Sequence, residues 1–353
     1  MKSSGIERPS IFTSSFDFSQ APLLVIWEMT QACGLACSHC RADASLLHHP
    51  DELTTQEAKD LISDVKELGC PVMVLSGGDP LQRNDLEELV RYGSDLGLRM
   101  CTIPAVTPRL TRDRMVALRD SGIAKLAFSL DGSTPQLHDG MRRIEGTYNL
   151  TMEAAQTARD LGISIQINSL VHAGNIDDLE NIARQVDEMG ADMWELMFLI
   201  PVGRGVMLPS LGAGECERAF SIIFNIEQKI KAVIKVTEAP HYRRYKRQRG
   251  YVGQLHRVNA GDGFVFVSHI GEVFPSGFLP EEVGNIRSNS IIEAYRNSPI
   301  MKKLRSPSKF SGACGNCKFN DICGGSRSRA YSVDGNPFGS EPWCVVAEAF
   351  NSN

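Results

Sequence analysis

The sequence predicts an α/β protein, a partial (β/α)6 barrel followed by a small irregular C-terminal domain. Between residues 23 and 205, six short apolar segments alternate with amphipathic segments of helical period, which is the pattern of parallel βαβ units. Six strands are fewer than the eight that close a (β/α)8 barrel, so we expect an open barrel. Beyond residue 205 the alternation ends, and the last part of the chain is rich in Gly, Ser and Asn.

The barrel strands are predicted from the apolar segments Leu23–Met29, Val72–Leu75, Leu98–Ile103, Lys125–Leu130, Ser164–Val171 and Met193–Ile200. The predicted helices lie between them, at Thr54–Leu68, Asp85–Leu96, Thr111–Asp120, Tyr148–Leu161 and Ile176–Met189. Parallel strands place their carboxyl ends at one edge of the sheet. We therefore expect the functional residues in the loops that follow the strands.

The second half of the chain is predicted to be more irregular. Glu215–Lys235 and Ser290–Asn297 are predicted helices, and Phe264–Ser268 and Glu272–Phe274 are predicted strands of a hairpin. The basic stretch Arg243–Arg249 is expected either to meet substrate carboxylates or to form the solvated face of a helix. We divide the chain into an N-terminal extension, a barrel, a helical bridging segment and a C-terminal domain, at residues 1–22, 23–205, 206–260 and 261–353.

The composition excludes several classes of protein. The chain has 353 residues, of which 42% are hydrophobic and 22% charged, as in a globular protein with a real core. A net charge of −5 argues against general affinity for nucleic acid or anionic membranes. No apolar segment approaches the roughly 20 residues of a membrane span, and the N-terminus lacks the layout of a signal peptide. We therefore expect a cytoplasmic protein, in which ten cysteines indicate metal binding or thiol chemistry rather than disulfides.

The first cysteine group follows the first predicted strand at its carboxyl end. Cys33, Cys37 and Cys40 have the spacing Cys-x3-Cys-x2-Cys. Three thiolates leave one ligand position open, which in an iron–sulfur cube means one iron without a protein ligand. The alternative is a zinc knuckle with His39, His48 or His49 as fourth ligand, although this spacing is unusual for zinc.

This cysteine spacing, placed after the first strand of a partial barrel, resembles the radical S-adenosylmethionine (SAM) superfamily. The resemblance implies a barrel of the radical SAM type, in which the three cysteines hold a [4Fe–4S] cluster. The methionine part of SAM would chelate the open iron through its amino and carboxylate groups. It further implies that reductive cleavage of SAM gives methionine and a 5′-deoxyadenosyl radical, which removes a hydrogen atom from the substrate.

Several other segments resemble motifs of the same superfamily. Gly77, Gly78 and Asp79, in Ser-Gly-Gly-Asp-Pro, match its GGEP element, with Asp79 in place of Glu. The resemblance implies that the backbone there binds the SAM amino group, and it assigns four further contacts. They place Ser129 at the SAM ribose or carboxylate, Arg142 at the SAM carboxylate and Asn168 at the ribose. His39 would lie against the adenine. Taken singly, each of these polar residues is equally explained by a capped turn or a strand end. No catalytic side chain is assigned.

The second cysteine group offers four thiolates. Cys314, Cys317 and Cys323 are closely spaced and Cys344 follows. Four ligands close a site, so the spacing leaves structural zinc and a fully ligated [4Fe–4S] cluster as alternatives. Beside a radical SAM barrel, the group resembles the SPASM/twitch extension, which implies an auxiliary [4Fe–4S] cluster. Arg327 stands where that pattern has its next cysteine, and Ser276 where a first auxiliary cluster would have a ligand. The pattern thus implies one auxiliary cluster, engaged in electron transfer.

Two stretches suggest the substrate. Pro201–Gly205 and Cys323–Tyr331 resemble the enzymes of alternative haem biosynthesis, which implies a small-molecule substrate, an iron porphyrin whose carboxylate side chains are modified or removed. An electron donor such as flavodoxin or ferredoxin is implied as a partner. The alternatives are a maturase of ribosomally made peptides and, in another class, a non-catalytic zinc-binding protein. Because only about 20 residues precede the first strand, we expect no leader-binding domain. His241, His256 and His269 are the candidate ligands of a haem iron.

Overall fold

The computed structural model describes residues 16–42 and 44–351, so most of the predicted N-terminal extension lies outside the described residues. The strands are β1 Leu24–Glu28, β2 Val72–Ser76, β3 Arg99–Thr102, β4 Lys125–Ser129, β5 Ile165–Val171, β6 Met193–Phe198, β7 Val233–Thr237, β8 Asn259–Ala260, β9 Gly263–Val267, β10 Glu272–Phe274 and β11 Gly284–Asn285.

The helices alternate with the strands in the first part of the chain and cluster in the last. They are α1 Thr55–Glu67, α2 Leu86–Asp95, α3 Arg112–Asp120, α4 Pro135–Arg142, α5 Thr147–Asp160, α6 Leu179–Glu188, α7 Ala213–Glu227, α8 His241–Gln248, α9 Ile291–Asn297, α10 Pro299–Leu304, α11 Gly312–Asn316, α12 Arg327–Asp334 and α13 Val345–Asn351.

The strands form one sheet in the order β11-β10-β9-β1-β2-β3-β4-β5-β6-β7, with β8 paired to β9. Strands β1 to β7 are parallel to their neighbours, β9 runs parallel to β1 on its other side, and β10 and β11 are antiparallel. The six predicted barrel strands and the helices between them are confirmed. The architecture is the open, partial α/β barrel that the sequence predicts.

The two faces of the sheet differ in burial. Trp27, Phe128 and Trp194 lie on the outer face, where they are fully buried in one cluster with the helices. Burying a side chain of this size stabilises the fold by roughly 1.5–3 kcal/mol. Alternate residues face the inside of the barrel, and many of these, such as Val74 and Cys101, stay partly exposed. The inside of the barrel therefore remains accessible.

The capping of α1 shows how local sequence fixes an element. The Thr54 side chain accepts a hydrogen bond from the Glu57 N–H, and the Glu57 carboxylate accepts one from the Thr54 N–H. This capping box satisfies backbone donors that the first helical turn leaves unpaired. The helix is thereby set to bury Ala58, Leu61 and Ile62 against the sheet.

One prediction beyond residue 205 is wrong in part, and another is incomplete. The predicted helix Glu215–Lys235 ends at Glu227, and its last residues belong to β7, a seventh parallel strand. Val, Ile and Thr residues in β7 are β-branched and favour strands over helices. The predicted hairpin of β9 and β10 is confirmed, but β9 also pairs with β1. The barrel sheet thus continues into the region predicted as the C-terminal domain, and the domain boundaries stay a prediction.

The basic stretch forms α8, and one of its arginines is buried. Arg244 is 3% exposed and pairs with Glu217, and the partly exposed Arg243 donates to the carbonyl oxygen of Val258 at 3.0 Å. The solvated face of a helix therefore does not describe Arg244, and the contact of this stretch to substrate carboxylates stays a prediction.

Among residues 16–42 and 44–351, no helix combines the length and the apolar character of a membrane span.

Candidate functional site

The first cysteine group lies on the loop after β1, and neighbouring segments hold that loop from three sides. The Cys33 N–H donates to Ser45, the Ser38 N–H donates to Met141 at the end of α4, and the Cys40 carbonyl accepts from Arg204. Burial raises the pKa of the Cys33 thiol to about 11, and the charges of Cys37 and Cys40 nearby act in the same direction. The fold thus brings the three thiols together at the carboxyl ends of the strands.

Gly77 and Gly78 pack directly against this loop. A Cβ on Gly77 would lie 2.6 Å from the carbonyl oxygen of Thr30, and one on Gly78 would lie 2.4 Å from that of Ala32. The Gly78 N–H donates to Thr30 at 2.7 Å and the Asp79 N–H to Ala32 at 2.8 Å. Glycine is required here because the backbone of the cysteine loop occupies the space of a side chain.

The Asp79 side chain is already engaged within the protein. Its carboxylate accepts hydrogen bonds from the N–H groups of Leu81 and Ala105, at 3.1 and 3.2 Å, and from the Thr107 hydroxyl at 3.3 Å. The residue is fully buried. Its side chain therefore fixes the turn after β2 against the loop after β3, and only the backbone of this motif is left to contact a ligand.

Arg142 connects α4 to the cysteine loop. Its Nη1 donates to the Cys37 Sγ at 3.5 Å, and its Nη2 forms an ion pair with Asp131. Burial raises the pKa of Asp131, but the charges of Arg142, His39 and His138 and the hydrogen bond from Leu170 together outweigh it, and the net pKa of this carboxyl is lowered. The Arg142 Nε is buried without a hydrogen-bond partner among the described residues. The neighbouring Arg143 has φ 59°, a left-handed conformation that ends the helix.

His39 lies in the same region, between two cysteines of the loop. Burial, assisted by the positive charge of Arg142, lowers the pKa of His39 to about 4, so that its imidazole is neutral. Its Nδ1 is buried and has no hydrogen-bond partner in the described part of the chain. His39 and Arg142 thus each present an unsatisfied buried donor or acceptor beside the cysteine loop.

A row of polar side chains crosses the inside of the barrel. Ser129, Asn168, Glu195 and Lys235 occupy one register across β4, β5, β6 and β7. Paired residues of parallel strands point to the same face, so all four face the inside. Glu195 accepts a hydrogen bond from the Gln166 side chain at 2.8 Å and pairs with Lys235 at 3.0 Å. The sequence predicted Ser129 and Asn168 but missed Glu195 and Lys235.

The second cysteine group surrounds one cavity near the C-terminus. Cys314, Cys317, Cys323 and Cys344 line it, together with His241 and Arg244 of α8. Among residues 16–42 and 44–351, no three metal-binding side chains converge as the ligands of a single ion would. A cubane takes one thiolate at each of four irons, so its ligands surround a volume.

Hydrogen bonds to sulfur surround this cavity. Cys314 Sγ accepts from the N–H of Glu341 at 3.2 Å and from Arg327 Nη2 at 3.3 Å, and Cys323 Sγ accepts from the Gly325 N–H at 3.4 Å. Arg327 is fully buried and also donates to the carbonyls of Pro337 and Gly339. The residue at the family's cysteine position therefore contacts the sulfur of another cysteine.

The candidate haem ligands have different surroundings. His269 is buried and its Nδ1 lies 3.1 Å from the Glu28 carboxylate, so this ring is already paired. His241 is fully buried beside the second cysteine group. His256 is partly exposed, and burial and the charge of Arg243 lower its pKa. Sequence reasoning missed the functional placement of Asp131, His241 and Arg244, which only the folded chain brings to the two cysteine groups.

The fold and its cysteine loop define an iron–sulfur enzyme built on a partial α/β barrel. A family model described as the Radical SAM superfamily matches residues 27–186. The chain belongs to the radical SAM superfamily, and it is accordingly an enzyme that uses S-adenosylmethionine and a [4Fe–4S] cluster.

Its relatives are named for two kinds of substrate. The AdoMet-dependent heme synthase of Oleidesulfovibrio alaskensis is 35% identical over 344 residues, covering 93% of this chain and 88% of the relative. The PqqA peptide cyclase of Bradyrhizobium diazoefficiens is 27% identical, covering 92% and 87% of the two chains. The Fe-coproporphyrin III synthase of Methanosarcina barkeri is 27% identical, with coverage of 92% and 88%.

Solved structures share the fold. The crystal structure of Streptococcus suis SuiB bound to S-adenosylmethionine superposes with a TM-score of 0.75, at 14% identity, covering 93% of this chain and 78% of that one. At this identity the likeness concerns the fold alone.

Proposed function

We propose that the enzyme removes carboxylate groups from side chains of an iron porphyrin and so forms haem. The observation that carries this proposal is the 35% identity to an AdoMet-dependent heme synthase along 88% of that protein. The stretch after β6 and the stretch after Cys323, which resemble the alternative haem enzymes in sequence, lie at the two cysteine groups. The backbone of Arg204 donates to Cys40, and Gly325 donates to Cys323.

In this proposal, Cys33, Cys37 and Cys40 hold the [4Fe–4S] cluster and SAM binds beside it. The unsatisfied Nδ1 of His39 and Nε of Arg142 support a ligand at this place, since buried polar atoms are normally hydrogen-bonded. When bound, the cluster and SAM together supply a 5′-deoxyadenosyl radical that removes a hydrogen atom from the substrate.

The protein's own residues orient SAM and keep it in place. The backbone at Gly77 and Gly78 faces the cysteine loop and would receive the SAM amino group. Arg142 brings a permanent positive charge, suited to the SAM carboxylate. Ser129 and Asn168 would bind the ribose from the inner face of the barrel, and the neutral ring of His39 would lie against the adenine.

We propose an auxiliary [4Fe–4S] cluster ligated by Cys314, Cys317, Cys323 and Cys344, within the predicted domain 261–353. The shared cavity and the N–H groups directed at the sulfur atoms of Cys314 and Cys323 support it, because such bonds stabilise thiolate ligands. When bound, this group would accept one electron per decarboxylation.

The proposed reaction balances as follows for a propionate side chain. One hydrogen atom leaves the carbon beside the ring and ends in 5′-deoxyadenosine. The bond to the carboxylate then breaks, CO2 departs, one electron leaves to an acceptor and a vinyl group remains. An external donor such as flavodoxin or ferredoxin would supply the electron that cleaves SAM.

The test is to incubate the anaerobically reconstituted enzyme with SAM, dithionite and iron coproporphyrin III, and to measure 5′-deoxyadenosine and vinyl porphyrins. We expect both products to depend on the porphyrin. Cys37→Ala should abolish them, whereas Cys70→Ala, a change at a buried thiol outside both groups, should not. Porphyrin-independent formation of 5′-deoxyadenosine would contradict the haem substrate.

The second candidate function is modification of a peptide, which the PqqA peptide cyclase favours among the relatives. A peptide substrate would leave 5′-deoxyadenosine formation unresponsive to porphyrin.

Iron and sulfide analysis tests the auxiliary cluster separately. About eight irons per chain support two cubes, and Cys323→Ala should lower this to about four. Zinc that is present in the wild-type enzyme and lost from Cys323→Ala, with no accompanying loss of sulfide, would contradict the auxiliary cluster.

A further inference from the structure

The inside of the barrel has an apolar wall. Many inward-facing residues of β1, β2, β3, β6 and β9 are apolar, and most of these are partly exposed: Leu24, Ile26, Val72, Val74, Cys101, Met193, Met197, Phe264 and Phe266. An accessible apolar wall inside a fold is typical of a binding site for an apolar ligand. Cys101, a partly exposed thiol outside both cysteine groups, belongs to this wall.

Positive charges lie at the opposite end from the cysteine loop. Arg99 and Lys125 are the first residues of β3 and β4, and the register places Lys125 beside Cys101, on the inner face. Lys235 of β7 acts electrostatically on both Cys101 and Lys125. Although β7 is four strands away from β3 in the sheet, the three cations therefore lie close enough to act on one another on the inner side of the barrel.

Lys125 lacks a partner for its charge. The residue is 9% exposed, and within residues 16–42 and 44–351 its ammonium group makes no hydrogen bond or ion pair. Lys235 is paired with Glu195, and Asp192 is the carboxylate that acts on Lys125 through its charge. Burial lowers the pKa of Lys125, which expresses the cost of holding this charge away from water. A ligand carboxylate would remove that cost.

We infer that Lys125, assisted by Arg99 and Lys235, binds a carboxylate of the substrate that does not react. The apolar wall would contact the macrocycle, and Lys125 would hold a second carboxylate at the far end of β4 from Ser129, about 13 Å away at 3.3 Å per residue. The inference rests on the proposed function, and it explains how a substrate with several carboxylates would be presented in one orientation to the SAM end of the barrel.

The test measures binding to the reconstituted enzyme by absorbance titration, with iron coproporphyrin III and its tetramethyl ester as probes. Lys125→Met should weaken binding of the free acid about tenfold or more, as loss of a charged hydrogen bond does. Binding of the ester should not change. Lys125→Arg should retain affinity for the acid, and Lys231→Met, a change at an exposed lysine, should leave it unaltered.

The outcomes separate the two proposals. If the wild-type enzyme binds iron coproporphyrin III and Lys125→Met binds it equally well, the carboxylate site is refuted while the proposed function stands. Equal losses for the acid and the ester would also refute it, since the charge would then not be what is recognised. If the wild-type enzyme binds neither probe, the proposed function fails and the inference falls with it. Should Lys125→Met fold poorly, Lys235→Met provides the same comparison.

Discussion

The buried ion pair between Asp131 and Arg142 gives the sharpest test of how the site is built. Asp131 is 4% and Arg142 8% exposed. The substitution Asp131→Asn leaves the carbonyl oxygen able to accept from the Leu170 N–H, which lies 2.9 Å from the carboxylate, but presents a neutral group to Arg142. The guanidinium then keeps only its weak bond to the Cys37 sulfur.

The expected loss of stability follows from the interactions that Asp131 makes. Removing one partner of a buried pair costs about 3–5 kcal/mol. Because Asn retains the bond from Leu170, we expect the lower end, about 3 kcal/mol. Replacing both residues, in Asp131→Asn/Arg142→Met, should cost less than the sum of the single changes by at least about 1 kcal/mol, since neither charge is then left alone. Asp120→Asn, which breaks an exposed pair with Arg119, should cost under about 0.5 kcal/mol.

The assay is urea unfolding of the reconstituted enzyme, followed by the fluorescence of Trp27 and Trp194, which are both buried in the barrel. The lowered pKa of Asp131 predicts the pH dependence. Its contribution is present above the ordinary carboxyl pKa and is lost as the pH falls through the lowered folded-state value, so wild type and Asp131→Asn should converge in acid. A loss of less than about 1 kcal/mol in the free energy of unfolding for Asp131→Asn at neutral pH would contradict a stabilising ion pair. Losses for the single variants that add up to that of the double variant would contradict it as well.

Three further predictions concern other parts of the site. Gly78→Ala should weaken SAM binding and lower the iron content, because its Cβ would lie 2.4 Å from a backbone oxygen of the cysteine loop. The control is Gly140→Ala, whose Cβ would meet nothing within 4 Å. It should stabilise α4 by about 0.5–1 kcal/mol and change neither SAM binding nor iron content. Arg327→Met should destabilise the protein by at least about 3 kcal/mol, since three backbone carbonyls lose their donor, and Arg327→Lys should recover part of this. Glu238→Gln should gain stability over wild type as the pH rises, because burial, together with the negative charge of Glu341, raises the pKa of Glu238 and makes its ionised form costly.

Each of these has a direct measurement. Equilibrium dialysis with SAM and iron analysis should separate Gly78→Ala from Gly140→Ala, and equal values for the two would contradict the close-approach argument. Unfolding in urea tests the Arg327 series, where equal stability of the Met and Lys variants would show that the lost donors do not matter. Thermal unfolding at pH 6 and pH 8 tests Glu238→Gln, and a stability difference that does not grow with pH would be inconsistent with the raised pKa.

The sequence predicted what depends on local pattern. Six strands and five helices of the barrel follow from hydrophobic period and helix signals, and both cysteine groups follow from spacing. The strand β7 was missed because an amphipathic helix precedes it closely and the boundary between the two lacks a glycine or proline signal.

Partners that are distant in sequence were not predictable. The pairing of β9 with β1 joins segments more than 200 residues apart, and nothing in either segment identifies the other. Asp131 and Arg142 were both in recognisable motifs, but their ion pair depends on how α4 returns to the sheet. The same holds for Lys125, whose lack of a partner is a property of the folded barrel.

The surroundings of Ser276 show how hydroxyl groups connect the region in which a first auxiliary cluster would have a ligand. Ser276 is buried, its hydroxyl lies 3.3 Å from that of Ser328, and it approaches the Glu238 carboxylate, which also accepts from Ser326 and Ser328. Metal ligands staple small loop-rich regions that have little apolar core. Here the hydroxyl groups around one carboxylate make the connection between the end of β7 and the loop before α12. A thiol is a weaker hydrogen-bond donor and acceptor than a hydroxyl, so this position favours serine over cysteine within the hydroxyl cluster.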